Sequence, residues 1–153
     1  MSNNMGLVNI DPSDYVSPDT INNNFNKLDA LGLDYVVEAG YSGEWWYRKW
    51  KSGRAECGID SKQFSAIQMT TLGNSTNTYR TPYMAFGAYP FAFSSRPYTS
   101  ITFEGDLGDS TRGSFVVSQH STSTTTSPYF FIVDWLQKDM KPMVGIYVCG
   151  KYK

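Results

Sequence analysis

One stretch constrains this chain more than any other: Glu44-Trp45-Trp46-Tyr47-Arg48-Lys49-Trp50. The period of two along a strand puts Trp45 and Tyr47 on one face and Trp46 and Trp50 on the other. A strand carrying large aromatics on both faces is seldom half-solvated. One face is expected to meet the core. The other is expected to meet a second subunit, a neighbouring loop or a ligand. The flanking residues read as a hairpin meander over residues 33–69. Tyr35-Val36-Val37-Glu38 is a short strand, residues 40–43 a turn, and Lys51-Ser52-Gly53 a second turn. Residues 54–59 then alternate, with Ala55, Cys57 and Ile59 inward and Arg54, Glu56 and Gly58 outward.

The rest of the chain extends the β reading. Strand candidates lie at 83–86, 98–104, 114–118, 128–134 and 143–149. Turn-rich pieces separate them, among them Ser94-Ser95-Arg96-Pro97 and the hydroxyl run at 121–127, read as a solvated loop or edge. Composition agrees: 16% aromatic and only 18% charged residues, with 13 glycines, 17 serines and 13 threonines. No repeat of 20–50 residues is present, which excludes propellers and solenoids. A chain of 153 residues suits one domain and buries a core without staples. The expected fold is mainly β, an antiparallel β-sandwich over residues 34–153 behind a short N-terminal segment, residues 1–33.

That segment carries the one convincing helix signal. Ser17 is an N-cap, Pro18 the first helical residue, Asp19 a first-turn acid, and Gly32 a stop. Ile21, Phe25 and Leu28 form a narrow apolar stripe among Asn-rich flanks. A helix this short is marginal alone, so its stripe needs a partner. Two partners stay open: the chain's own β-domain, or a parallel bundle with copies of itself.

Several function classes are excluded. A net charge of −1 and a pI near 5.7 argue against a nucleic-acid binder, which needs a basic surplus. No apolar run approaches a membrane span, and the N-terminus lacks the pattern of a signal peptide. Cys57 and Cys149 are too few for a disulfide scaffold or a cysteine zinc site; two readings stay open, two free thiols in strands, which is the expectation, or one long-range disulfide between them. No metal and no cofactor is expected. G-x-S-x-G, P-loop, G-x-G-x-x-G and H-E-x-x-H motifs are absent, and His120, the single histidine, has no nucleophile-elbow serine to serve. Glu104, Asp106 and Asp109 beside Gly105 and Gly108 read as a solvated turn rather than a calcium loop or a glycosidase acid pair. The chain does not read as an enzyme. The aromatic surplus is what remains. Tyr79, Tyr83, Tyr98 and Trp135 are the candidate ligand-binding residues, because sugar C–H groups pack on flat rings whose edges stay polar.

Residues 42–57, Ser42-Gly43-Glu44-Trp45-Trp46-Tyr47-Arg48-Lys49-Trp50-Lys51-Ser52-Gly53-Arg54-Ala55-Glu56-Cys57, resemble a specific pattern. It is the S-G-x-W-x-Y-R-K-W-x-S-G-x-A-E-C segment of small tail-fibre and minor structural proteins of phages and prophages of gut Firmicutes. Asp34-Tyr35-Val36-Val37-Glu38 is similar to their lead-in. Tyr89-Pro90-Phe91-Ala92-Phe93-Ser94-Ser95-Arg96-Pro97 is similar to their P-F-x-F-x-S-x-P stretch. Gly150-Lys151-Tyr152-Lys153 is similar to their G-R-W-K ending, with Tyr152 for the usual Trp. Such proteins carry the motif as a structural hairpin, and their C-terminal part is similar in layout to trimeric H-type lectin domains. The resemblance implies a virion protein of the tail-fibre or receptor-binding type, without a long shaft. It implies a homotrimer joined through Ile21, Phe25 and Leu28 and through Trp45, Tyr47 and Trp50. Residues 1–14 would dock on other virion proteins, and the β-domain would bind a glycan or protein of the host cell surface. Neither nucleic acid nor membrane insertion is implied. The alternative is a head-fibre, decoration or baseplate protein with no receptor role.

Overall fold

A computed structural model of the chain describes residues 18–106 and 113–153. It is mainly β, with antiparallel sheets and one helix among the described residues. Helix α1 spans Pro18–Ala30. It ends as Gly32 demands. Gly32 has φ +65°, its N–H donates to Asp29 O (3.0 Å), and Leu33 N–H donates to Leu28 O (3.3 Å). This pair of bonds is the Schellman closure, which a left-handed glycine permits at no steric cost. The expected cap Ser17 lies outside the described residues, as do residues 1–14 and Asp109.

A five-stranded sheet follows. Its strands are β1 (Val36–Ser42), β2 (Trp45–Trp50), β3 (Arg54–Gln63), β7 (Tyr98–Asp106) and β11 (Pro142–Lys151), in the order β1-β2-β3-β11-β7. A four-stranded sheet holds β5 (Thr70–Thr71), β6 (Tyr79–Arg80), β9 (Phe130–Asp134) and β8 (Phe115–Ser118), in the order β5-β6-β9-β8. β4 (Ile67–Gln68) and β10 (Asp139–Met140) pair as a small third ladder. The two larger sheets share one core in a sandwich-like arrangement. Ala55, Cys57, Ile59, Val144, Ile146 and Val148 come from the first sheet, and Phe130 and Ile132 from the second.

The alternation expected in β3 holds: Ala55, Cys57 and Ile59 are buried, with Cys57 fully so. The first hairpin differs from expectation. Residues 40–42 are strand rather than turn, because Gly40 pairs with Tyr47, Tyr41 with Trp46 and Ser42 with Trp45. The reversal is the two-residue turn Gly43-Glu44, with Gly43 at φ +60°.

Trp45 also differs from expectation. It was expected at a subunit interface, but it is only 6% exposed, with edge-to-face contacts on Phe86 (6.3 Å) and Tyr89 (5.6 Å). A ring sealed in its own core has no surface to offer a second subunit. Tyr47, on the same face, is half-buried against that core, and Trp50, on the opposite face, is half-buried.

The connection between β6 and β7 is not a regular strand, yet it fills the core. Met84, Phe86, Tyr89 and Phe93 are all buried, and Phe86 stacks on Phe130 at 5.2 Å. Its backbone hydrogen bonds are met outside any sheet. Met84 exchanges two bonds with Phe130 (2.8 and 2.9 Å). The N–H groups of Phe86 and Gly87 both donate to Ser127 Oγ (2.9 and 3.2 Å). Tyr89 N–H donates to Thr125 O and Phe93 N–H to Thr124 O, both at 2.9 Å. The hydroxyl run is thus partly an inner edge, and Ser127 is buried to accept two donors that would otherwise be orphaned.

Candidate functional site

The residues that carry the sequence resemblance are spent on structure. Trp46 Nε1 donates to Asp60 Oδ1 (2.7 Å) on the outer face of the five-stranded sheet. Gly58 lies beneath that indole. A Cβ there would sit 2.7 Å from Trp46 Cζ2 and 2.7 Å from Ile146 O. Asp60 is two residues on from Gly58, the cross-strand partner of Trp46, so strand parity puts its carboxylate on the same face as the indole. Ser52 donates through its backbone N–H (3.0 Å) and hydroxyl (2.7 Å) to the two carboxylate oxygens of Asp34. The four similar stretches meet in space around one ammonium, that of Lys49, which donates to Glu38 Oε2 (2.9 Å). Lys49 Nζ lies 5.5 Å from the Tyr47 ring, 5.0 Å from that of Phe91 and 5.5 Å from that of Tyr152. The Tyr152 ring lies 6.3 Å from that of Phe91.

The cysteines stand on opposite faces of the sheet. Cys57 pairs with Val148 and points inward, whereas Cys149, one residue on, points outward. Both are free, and burial pushes the Cys57 thiol up to about 12, with Glu56 adding to the effect. Tyr147 OH donates to Glu56 Oε2 (2.6 Å), which holds its phenol well above the usual range.

The four candidate ligand-binding aromatics are not brought to one place. Tyr79, in β6, is half-buried against the core. Tyr83 is exposed beside Phe131 (5.5 Å), with the Arg80 guanidinium 4.9 Å from its ring. Trp135 is 62% exposed just beyond β9. Tyr98, 65% exposed, stands at a cleft of about 410 Å³.

That cleft lies where the edge strands of the two sheets approach, β7 of the first and β8 of the second. Tyr98 and Thr99 come from β7, and Ser118 and Gln119 from the end of β8. Ser121 and Ser123 come from the hydroxyl run, and Arg96 from the turn before β7. Tyr89 lies at its inner side, 8% exposed; burial raises its phenol, opposed by a hydrogen bond with Thr99. Arg96 Nη1 lies 2.7 Å from His120 Nε2. An arginine only donates, so His120 accepts through Nε2 and carries its proton on Nδ1. The sequence pointed to Tyr98 alone. Arg96 and Gln119 sit in turn-like stretches, and nothing in their spacing places them opposite one another.

Helix α1 meets the sheet at its C-terminal half. Asp29 accepts from Tyr35 OH (2.9 Å) and Lys51 Nζ (3.1 Å), which together lower its carboxyl, and Phe25 lies 5.4 Å from the Tyr35 ring. The stripe is not covered by the chain's own sheet. Ile21 is 43% and Phe25 44% exposed, while Leu28 is half-buried. Leu31, Leu33, Val36 and Val37 continue the exposed apolar surface onto β1. No described helix is long and apolar enough to cross a membrane. Among the described residues no group of three His, Cys, Asp or Glu side chains has the geometry of a metal site. No protein-family model, curated protein or solved structure matches the chain.

Proposed function

We propose that this chain is a binding module of the phage tail-fibre type. Its sandwich-like β-domain takes a cell-surface glycan in the cleft between β7 and β8, and its helix joins three copies. The observation that carries the reading is the chemistry of the cleft. An exposed tyrosine ring stands beside serine hydroxyls, a glutamine amide and a guanidinium, in a recess of about 410 Å³. Sugars need this combination of a flat apolar face and closely spaced donors and acceptors. The resemblance of residues 34–57 to tail-fibre proteins supplies the setting, and the exposed stripe at Ile21 and Phe25 supplies the reason to assemble. Three weak sites on one particle bind a repetitive surface by avidity.

The purified protein, fluorescently labelled, is therefore expected to adsorb to host cells and to lose adsorption when their surface polysaccharide is stripped. A Tyr98→Ala variant that adsorbs as well as the parent refutes the cleft assignment. A second reading is favoured by the apolar surface over α1 and β1: a decoration, head-fibre or baseplate protein that only assembles. It predicts stoichiometric incorporation into particles with no adsorption by the isolated protein.

A further inference from the structure

We infer that the cleft between β7 and β8 selects an anionic glycan, one whose repeating unit bears a carboxylate or a phosphate; this rests on the glycan-binding reading above. Three observations carry it. First, among the described residues no carboxylate lines the cleft, and Arg96 is the charged residue in that lining. Second, no carboxylate pairs with Arg96 among the described residues. Its named partner is the imidazole of His120, a neutral acceptor that uses one of the five guanidinium donors. An exposed, turn-borne arginine is ordinarily free to find a surface acid. Here the neighbouring polar residues, Ser118, Gln119, Ser121 and Ser123, are all uncharged. Third, the His120 contact holds one edge of the guanidinium. The remaining N–H groups form a planar fork, which matches the paired oxygens of a carboxylate or phosphate.

The division of labour follows from these positions. The Arg96 fork takes the acidic group and the Tyr98 ring takes the apolar face of the sugar. Gln119 and the serines take its hydroxyls. A neutral sugar offers Arg96 only hydroxyl acceptors, which hold the guanidinium less strongly than a paired anionic group does. Charge-assisted hydrogen bonds are worth more than neutral ones, so the acidic unit is favoured roughly ten- to a hundredfold. The carboxylate of a uronic acid and the phosphodiester of a teichoic acid offer the same recognition chemistry. The test must therefore separate them.

The test measures binding of the full chain to immobilised polygalacturonate, ribitol-phosphate teichoic acid and neutral dextran at low and physiological salt. Arg96→Gln, Arg96→Lys and Tyr98→Ala variants run beside the parent, with thermal melts to show that these exposed positions leave the fold intact. The expected result is binding to one or both acidic polymers and at least tenfold less to dextran. Arg96→Gln should lose about tenfold or more on the acidic polymer, and Arg96→Lys should recover part of that, keeping the charge but not the fork. Which acidic polymer is retained distinguishes carboxylate from phosphate. Dextran bound as tightly as the acidic polymers, with Arg96→Gln neutral and Tyr98→Ala weakened, overturns the anionic selectivity but leaves the glycan reading standing. Acidic binding that survives both Arg96→Gln and Tyr98→Ala overturns both, as does no binding to any of the three polymers.

Discussion

Replacing Lys138 with Met tests whether a buried charge ties the sheets together. Lys138 Nζ lies 3.0 Å from Asp106 Oδ2 at the end of β7 and 3.2 Å from Asp134 Oδ2 at the end of β9. The three side chains are 13%, 2% and 0% exposed. Methionine retains much of the lysine stem's packing, so the main loss is the cation. Asp134 would keep hydrogen bonds from Ser114 Oγ (2.6 Å) and Leu136 N–H (2.9 Å). Asp106 Oδ1 likewise keeps the bond from Lys141 N–H (2.8 Å); removing one partner of a buried pair costs about 3–5 kcal/mol, and these surviving hydrogen bonds place this case near 3 kcal/mol. For a chain of this size that lowers Tm by about 6–12 °C.

The pH dependence gives a second signature. Burial pushes the Asp134 carboxyl up, but Ser114, Leu136 and Lys138 together outweigh it and hold the group below its ordinary value. Its contribution is therefore present above the unfolded carboxyl value and lost as pH falls through the folded one. For Lys138, burial acts downward, but Asp106 and Asp134 outweigh it and raise the ammonium. Its contribution is present below the unfolded lysine value and lost as pH rises through the folded one. The parent is most stable between these limits. In Lys138→Met the alkaline loss from this group disappears and the acid limb flattens, so the deficit narrows toward both ends. Urea unfolding at acid, neutral and alkaline pH measures this directly. A deficit below about 1 kcal/mol at neutral pH, the value of a solvated pair, with an unchanged pH profile would refute the reasoning.

Two further predictions follow from close packing and burial. Gly58→Ala forces a methyl to within 2.7 Å of both a backbone oxygen and the Trp46 indole, so urea unfolding should show a loss of about 2–3 kcal/mol. A thiol reagent at pH 8 should modify the native protein at Cys149 alone and reach Cys57 only in denaturant, because Cys57 is fully buried with its thiol pushed up to about 12.

The elements with a strong local period were legible. Alternation at 54–59, the Pro18-to-Gly32 helix frame and the strands expected at 98–104, 114–118, 128–134 and 143–149 could be read because each depends on neighbours in sequence, whereas the strand expected at 83–86 is only an isolated bridge at Met84. The place of Trp45 could not. Strand parity separates its face from that of Trp46, but which face is inner depends on Phe86 and Tyr89, some forty residues away. Residues 84–93 escaped for a different reason. Met84, Phe86, Tyr89 and Phe93 are buried without a regular ladder, because Ser127 and neighbouring carbonyls accept the N–H groups of this stretch, and a run of serines and threonines gives no sign of such service. The charged group at Lys138 was hidden as well. Asp106 reads as part of a solvated turn and Asp134 as the end of a strand, and only the folded chain joins them to Lys138. Of the proposed cleft, the sequence supplied Tyr98; Ser118, Gln119, Ser121 and Ser123 come from a segment some twenty residues away, which only the fold brings beside it.

The sheet order separates the proposed assembly surface from the proposed binding cleft. α1 attaches beside β1 and β2, at one edge of the order β1-β2-β3-β11-β7, and the cleft lies against β7 at the other. Four strand spacings of about 4.8 Å put roughly 19 Å between these edges. On the proposed assembly, Ile21→Ser with Phe25→Ser should therefore convert the trimer to a monomer in sedimentation. Melting of the β-domain should stay nearly unchanged, since both side chains are more than 40% exposed and touch little of the core. Binding of a short monovalent glycan should keep its affinity, while adsorption to a cell surface should fall by about a hundredfold or more as avidity is lost. A variant that stays trimeric means that the stripe does not join the copies. A monomer that also loses monovalent binding would mean that helix and cleft are coupled, contrary to their placement at opposite edges.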